Sequence, residues 1–104
     1  MRDRLRTVRL GRFTLSLFAT ERTDSRGCTG IAWTVRQDGK PVAASTGSDL
    51  VYGSPLHADD SDATVAAAIA LIAHDATHDE NDERIPCEWD ADALSDEGSM
   101  RFSD

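Results

Sequence analysis

Residues 31–46, IAWTVRQDGKPVAAST, decide the fold. Ile31, Trp33 and Val35 alternate with Ala32, Thr34 and Arg36, the period of two that puts one face of a strand on a core and the other toward water. Asp38-Gly39 follows, the pair that tolerates the positive φ angles of a two-residue hairpin turn. The strand therefore folds back on the next one, which begins near Val42, carries Ala44 and Thr46 on one face, is interrupted at Gly47 and resumes with Leu50, Val51 and Tyr52. The centre of the sheet is antiparallel.

Upstream, Phe13, Leu15, Leu17 and Ala19 alternate with Thr14, Ser16, Phe18 and Thr20, which predicts the first strand, with Val8 and Leu10 extending it backward past a bulge at Gly11. Downstream, Asp59, Asp60, Ser61 and Asp62 offer short polar acceptors for the free amides at the start of a helix. The helix runs from about Ser61 to His78, and Val65, Ala68, Ile69, Ile72 and Ala76 form the stripe that lies on the sheet. Ile85, Cys87 and Trp89 alternate with Pro86 and Glu88 and read as a short fourth strand at an edge, because Pro86 cannot donate to a ladder. Asp90 to Glu97 reads as one or two helical turns capped by Asp90 and ended by Gly98.

The expected architecture is a two-layer α+β domain. Its sheet has three to four mainly antiparallel strands in β-β-β-α-β order, with one long helix on one face and an acidic C-terminal tail. Residues 1–90 form the compact part and residues 91–104 the tail, partly ordered or frayed.

Composition narrows the function classes. The 104 residues are 39% hydrophobic and 29% charged, a size and mixture that suit one small domain. The longest apolar run, Val65 to Ala73, is far below the roughly 20 residues that span a bilayer, so no membrane partner is expected. The Arg-rich first twelve residues lack an apolar stretch like that of a secretory signal, and a cytoplasmic location follows as the expectation. Two cysteines, Cys28 and Cys87, match no metal-site spacing and read as reduced thiols. Ten arginines against one lysine, with fourteen alanines and fourteen aspartates, suggest a GC-rich bacterial or phage genome.

The charge is divided along the chain. Residues 1–58 carry nine basic and five acidic side chains, a formal +4, whereas residues 59–104 carry two arginines and fourteen acids, a formal −12. Asp75 to Glu97 holds ten carboxylates in 23 residues. On a helix that is one charge per about 3.5 Å, near the roughly 3.4 Å along one DNA strand. Asp79, Glu80, Asp82, Glu83, Glu88, Asp90, Asp92, Asp96 and Glu97, with Trp89 as an apolar anchor, are the expected contacts to a basic, nucleic-acid-binding protein. Arg2, Arg4, Arg6 and Arg9 form a basic arm. With Arg2, Arg4 and Arg6 on one side, it suits phosphates, so nucleic-acid binding is the alternative. Against it stands the net charge of −8. Phe18 on an uncovered sheet face also permits a homodimer.

Catalytic signals are sparse. His74 and His78 have the i, i+4 spacing of zinc ligands, but they lie opposite the apolar stripe, and Asp75, Asp79 and Cys87 give no recognisable third-ligand spacing. No metal is expected there. Gly27-Cys28-Thr29-Gly30 lacks the lysine and helix of a phosphate loop, so no cofactor is expected. In outline, the order of strands and helix resembles the first half of the ribonuclease H-like fold, over residues 13–90. That resemblance implies a divalent-metal nuclease with carboxylates at Glu21, Asp62 and Asp90, although Phe18-Ala19-Thr20 stands where the family places an aspartate on its first strand. The leading expectation is a small non-catalytic regulator or inhibitor whose acidic half engages a basic protein.

Overall fold

The computed structural model describes residues 3–55 and 60–102. The chain order is β1 (Asp3–Leu10), β2 (Phe13–Thr23), β3 (Cys28–Gln37), β4 (Lys40–Ala44), β5 (Val51–Pro55), α1 (Asp62–Thr77) and α2 (Ala91–Phe102). The architecture is α+β: an antiparallel sheet in the order β1-β2-β3-β4, with β5 also paired to β3, and two helices.

The central hairpin forms where the Asp-Gly pair places it. Asp38 and Gly39 have φ of 53° and 82°, the two left-handed residues of a type I′ turn, and Gln37 pairs with Lys40 across it. The interrupted strand is also present. β4 pairs with the C-terminal half of β3 and β5 with its N-terminal half, while residues 45–50 bow out between them. Asp49 holds that bow by accepting from the Thr46 amide at 2.6 Å, and its carbonyl accepts from the Trp33 indole at 3.1 Å.

β1 is a separate strand, not a backward extension of β2. Gly11, at φ 61°, takes the first central position of a two-residue turn, and Leu10 pairs with Phe13 across it. Glycine at that position is the requirement of a type II′ hairpin. The bulge lies in β1, where Arg4 pairs with Phe18 and Arg6 with Leu17, so that Leu5 is the extra residue.

Leu15, Leu17, Ile31 and Val35 lie on one sheet face and are all 0% exposed. α1 covers that face with Val65, Ala68, Ile69 and Ile72. It starts at Ser61, whose hydroxyl accepts from the Thr64 amide, and ends at His78, as the capping pattern predicts. The expected fourth strand does not form. Among the described residues after α1 there is only an isolated bridge between His78 and Arg84, because Ile85–Trp89 meets no sheet edge and Trp89 instead turns its ring against Phe13, centroids 6.2 Å apart.

Residues 91–102, expected as a tail, form α2, which buries Ala91, Leu94 and Gly98. Gly98 does not end this helix. It lies inside it, where a Cβ would stand 2.7 Å from Ile69 Cγ2, so glycine sets how closely α2 approaches α1. Both helices are short of a membrane span: none among the described residues is long and apolar enough to cross a bilayer.

Between β2 and β3, Asp24 organises a tight loop by accepting from the amides of Cys28 at 3.0 Å and Arg26 at 2.9 Å. The Cys28 amide above all holds the Asp24 carboxyl below its usual range. A depressed folded-state value means that this loop's stabilisation is present above the unfolded carboxylate pKa of about 3.9 and is lost as the pH falls through the lower folded value. Amide exchange at Cys28, followed by NMR on acidification, should accelerate only below the ordinary carboxylate range.

Gly98→Ala tests the helix contact. Alanine favours a helix interior by up to about 1 kcal/mol, but a methyl driven into the β-branched Ile69 costs about 1–3 kcal/mol, so net destabilisation is expected in urea unfolding. In an Ile69→Ala background the same change becomes stabilising.

Candidate functional site

The two layers of the fold carry opposite charge, and the residues singled out in the sequence fall on both. On the sheet, the side opposite the helices presents Thr7, Arg9, Thr14, Ser16, Phe18, Thr34 and Arg36, as the paired registers require, with Ala32 on the same side but fully buried. Tyr52, paired with Gly30, joins them and is 40% exposed.

The basic arm does not act as one stripe. Because the bulge at Leu5 shifts the alternation, Arg4 shares a face with Phe18 and lies 5.9 Å from its ring centroid, whereas Arg6 falls on the face of Leu17. Arg6 turns to α1, donating at 2.7 Å to Asp62 and at 2.9 Å to the Asp60 carbonyl. Arg9 is exposed, and its carbonyl accepts from Arg101 of α2 at 3.2 Å. Arg2 lies outside the described residues.

The acidic residues divide into those spent on the fold and those that are not. Asp90 caps α2, accepting from the Ala93 amide at 3.3 Å, and pairs with Arg12. Asp92 pairs with Arg84 at 2.6 Å. Asp79 accepts from the amides of Asn81 and Glu83. Glu97 lies against Gly11. By contrast Asp75, Glu80, Glu83, Glu88 and Asp96 are exposed, and their carboxylates have no hydrogen-bond or ion-pair partner among the described residues. Trp89 is half-buried against Phe13 and is part of the core's rim, not a free anchor. The exposed apolar side chains on this side are Ile85, at 39%, and Met100, at 75%.

Glu21, Asp62 and Asp90 are not brought together. Among the described residues, the group of His, Cys, Asp and Glu side chains whose ligand atoms come within 4.8 Å of one another is His74, His78 and Asp82. His74 and His78 stack with centroids 4.4 Å apart, and His74 Nε2 lies 2.8 Å from Asp82 Oδ1. The sequence spacing hides Asp82 because its placement depends on a left-handed backbone, φ 63°, in the turn after α1. Aspartate is among the few residues that accept that conformation readily, which is the one local signal for it. The thiols of Cys28, buried, and Cys87, half-buried, are both free.

Comparison with known protein families, curated proteins and solved structures returns no match, so function is argued from this geometry.

Two aspartates at helix starts separate capping from ion pairing. Asp90→Ala removes a cap together with the exposed Arg12 pair and should cost about 1–2 kcal/mol. Asp62→Ala removes an exposed ion pair, the carboxylate being 74% exposed, and a first-turn acid, but no cap, and should cost about 0.5 kcal/mol. Urea unfolding of the two variants measures the difference.

Proposed function

We propose that the protein is a small non-catalytic binding module, encoded by a bacterium or phage, whose acidic helical side engages a basic, nucleic-acid-binding protein. The observation that carries this reading is the set of exposed carboxylates with no partner among the described residues: Asp75, Glu80, Glu83, Glu88 and Asp96. Surface acids are ordinary, but here they remain after the nearby arginines are committed: Arg84 to Asp92 and Arg101 to the Arg9 carbonyl. Ile85 and Met100 are the exposed large apolar side chains in the same acidic half of the chain, and an apolar contact beside charge is how a protein surface gains both grip and register. DNA-like charge density does not arise from one continuous helix, because residues 78–90 are irregular. It would come from the loop and α2 lying side by side.

The uncovered sheet face supports a second reading, single-stranded nucleic-acid binding. Phe18 with Arg4 above it, and Tyr52, offer stacking surfaces at one end of a face whose other end carries Arg9 and Arg36 on either side of Thr14. A homodimer joining the basic face of one copy to the acidic side of another uses the same features and predicts association that salt dissolves.

Pull-down from a bacterial lysate with the whole chain separates these readings. For the acidic surface, protein partners should be retained at low salt and released at about 0.5 M, where charges are screened beyond roughly 4 Å. They should also be lost from a Glu80→Gln, Glu83→Gln, Glu88→Gln, Asp96→Gln variant that unfolds normally. Partners indifferent to both changes would refute it. A gel shift of labelled single-stranded DNA, lost in Arg4→Ala, Phe18→Ala, would favour the sheet face instead.

A further inference from the structure

The end of α1 holds a three-residue constellation that the binding reading does not use. We propose that His74, His78 and Asp82 form a site for a divalent transition metal of the zinc class. Two imidazoles and one carboxylate are three of the four ligands of a tetrahedral zinc ion, and with three protein ligands the fourth position is left to water or to a ligand from outside.

The geometry contains more than proximity. His78 Nδ1 lies 2.9 Å from Thr77 Oγ1 and 3.2 Å from the His74 carbonyl. A carbonyl only accepts. Thr77 Oγ1 lies 2.7 Å from the Ala73 carbonyl, so its own hydrogen is directed there and it too accepts from the ring. Two acceptors at Nδ1 place the proton on that nitrogen, which leaves Nε2 with the lone pair that a metal requires. Fixing the tautomer through the distal nitrogen is what metal-binding histidines require of their surroundings. His74 stands one turn earlier on the same helix face, its ring stacked on that of His78 at an interplanar angle of 9°, and the exposed His74 ring must turn out of that stack for both lone pairs to meet at one ion while His78 keeps its contacts at Nδ1.

Asp82 is also placed in advance. The Asp79 carbonyl accepts from the Asp82 amide at 3.0 Å, the Glu83 carbonyl accepts from the Asp79 amide at 2.9 Å, and the His78–Arg84 bridge closes the loop. This turn carries Asp82 back to His74 in a left-handed conformation. The nearest cation, Arg84, is neutralised by Asp92 at 2.6 Å, so its charge is not left to repel a metal. The two imidazoles line a shallow cleft of about 290 Å³ whose other walls include Ala73, Thr77, Arg84 and Asp92. Ligand atoms of a tetrahedral zinc site stand about 3.4 Å apart at the usual bond length of about 2.1 Å. Spacings within 4.8 Å therefore close by rotation of the exposed His74 and Asp82 side chains toward His78.

Such a metal would tie the loop after α1 to the helix and add two positive charges within the acidic side. Isothermal titration of the whole chain with zinc alone should show one site per chain, and thermal unfolding should shift upward with free zinc by mass action. His74→Gln and Asp82→Asn should each abolish both effects, with circular dichroism confirming the fold at these exposed positions. Thr77→Val, which removes the acceptor that orients His78, should weaken binding about 10- to 100-fold without removing a ligand. Cobalt should give the visible absorption of a four-coordinate nitrogen and oxygen site without a thiolate charge-transfer band. No heat at micromolar zinc would overturn the proposal and leave His74 and Asp82 as an ion pair. So would zinc binding that survives His74→Gln, His78→Gln, or a cobalt spectrum with a thiolate band, since either locates the metal elsewhere.

Discussion

The sheet has one face that must stay dry. Leu15, Leu17, Ile31 and Val35 are each 0% exposed and share that face, and burying side chains of this size is worth roughly 1.5–3 kcal/mol apiece. The position of every helix follows from it. α1 lies across these residues with a stripe rich in alanine, and α2 can lie on α1 only because Gly98 lets it approach Ile69. With the apolar sides of both helices turned inward, their acids can only face outward. The chemical division of the molecule into a basic sheet and an acidic helical side is thus a by-product of keeping one surface dry.

Among the described residues, the ion pairs that link the layers are two and of modest strength. Arg6 reaches Asp62 and Arg12 reaches Asp90, each crossing from the sheet to the start of a helix. Exposed pairs of this kind contribute about 0–1 kcal/mol. Their larger effect is on orientation: a guanidinium near a helix N-terminus opposes the helix dipole, and an aspartate between them reverses that local sign. Each layer therefore keeps its own electrostatic character while the joints between them are neutral.

Local chemistry made much of this legible. The Asp38-Gly39 turn, the Ser61 cap and the break between β4 and β5 are written in residues adjacent to one another, and the structure places them where those residues do. What was misread depended on distant partners. Gly11 suits a bulge and a hairpin turn equally, and only pairing along all of β1 selects the turn. Residues 91–102 are polar enough to pass for a tail, and they become a helix because Leu94 and Gly98 find α1. Ile85, Cys87 and Trp89 alternate like a strand, yet they join no strand of the sheet, and Trp89 packs its ring on Phe13 instead. The third member of the His74, His78 and Asp82 group was hidden for a related reason, since only the closed turn from Asp79 to Glu83 returns it to the helix.

The irregular rims of the sheet have a consequence for the behaviour of many copies in solution. Templated growth of β-structure needs an unbroken row of amides and carbonyls along an outer strand. On one rim Leu5 bulges out of β1, Arg101 occupies the Arg9 carbonyl, and arginines flank the strand. On the other, residues 45–50 divide the outer strand into two short pieces. Among the described residues neither rim offers a long, flat stretch, and imperfections of this kind disfavour the templated growth that strongly apolar strands otherwise invite.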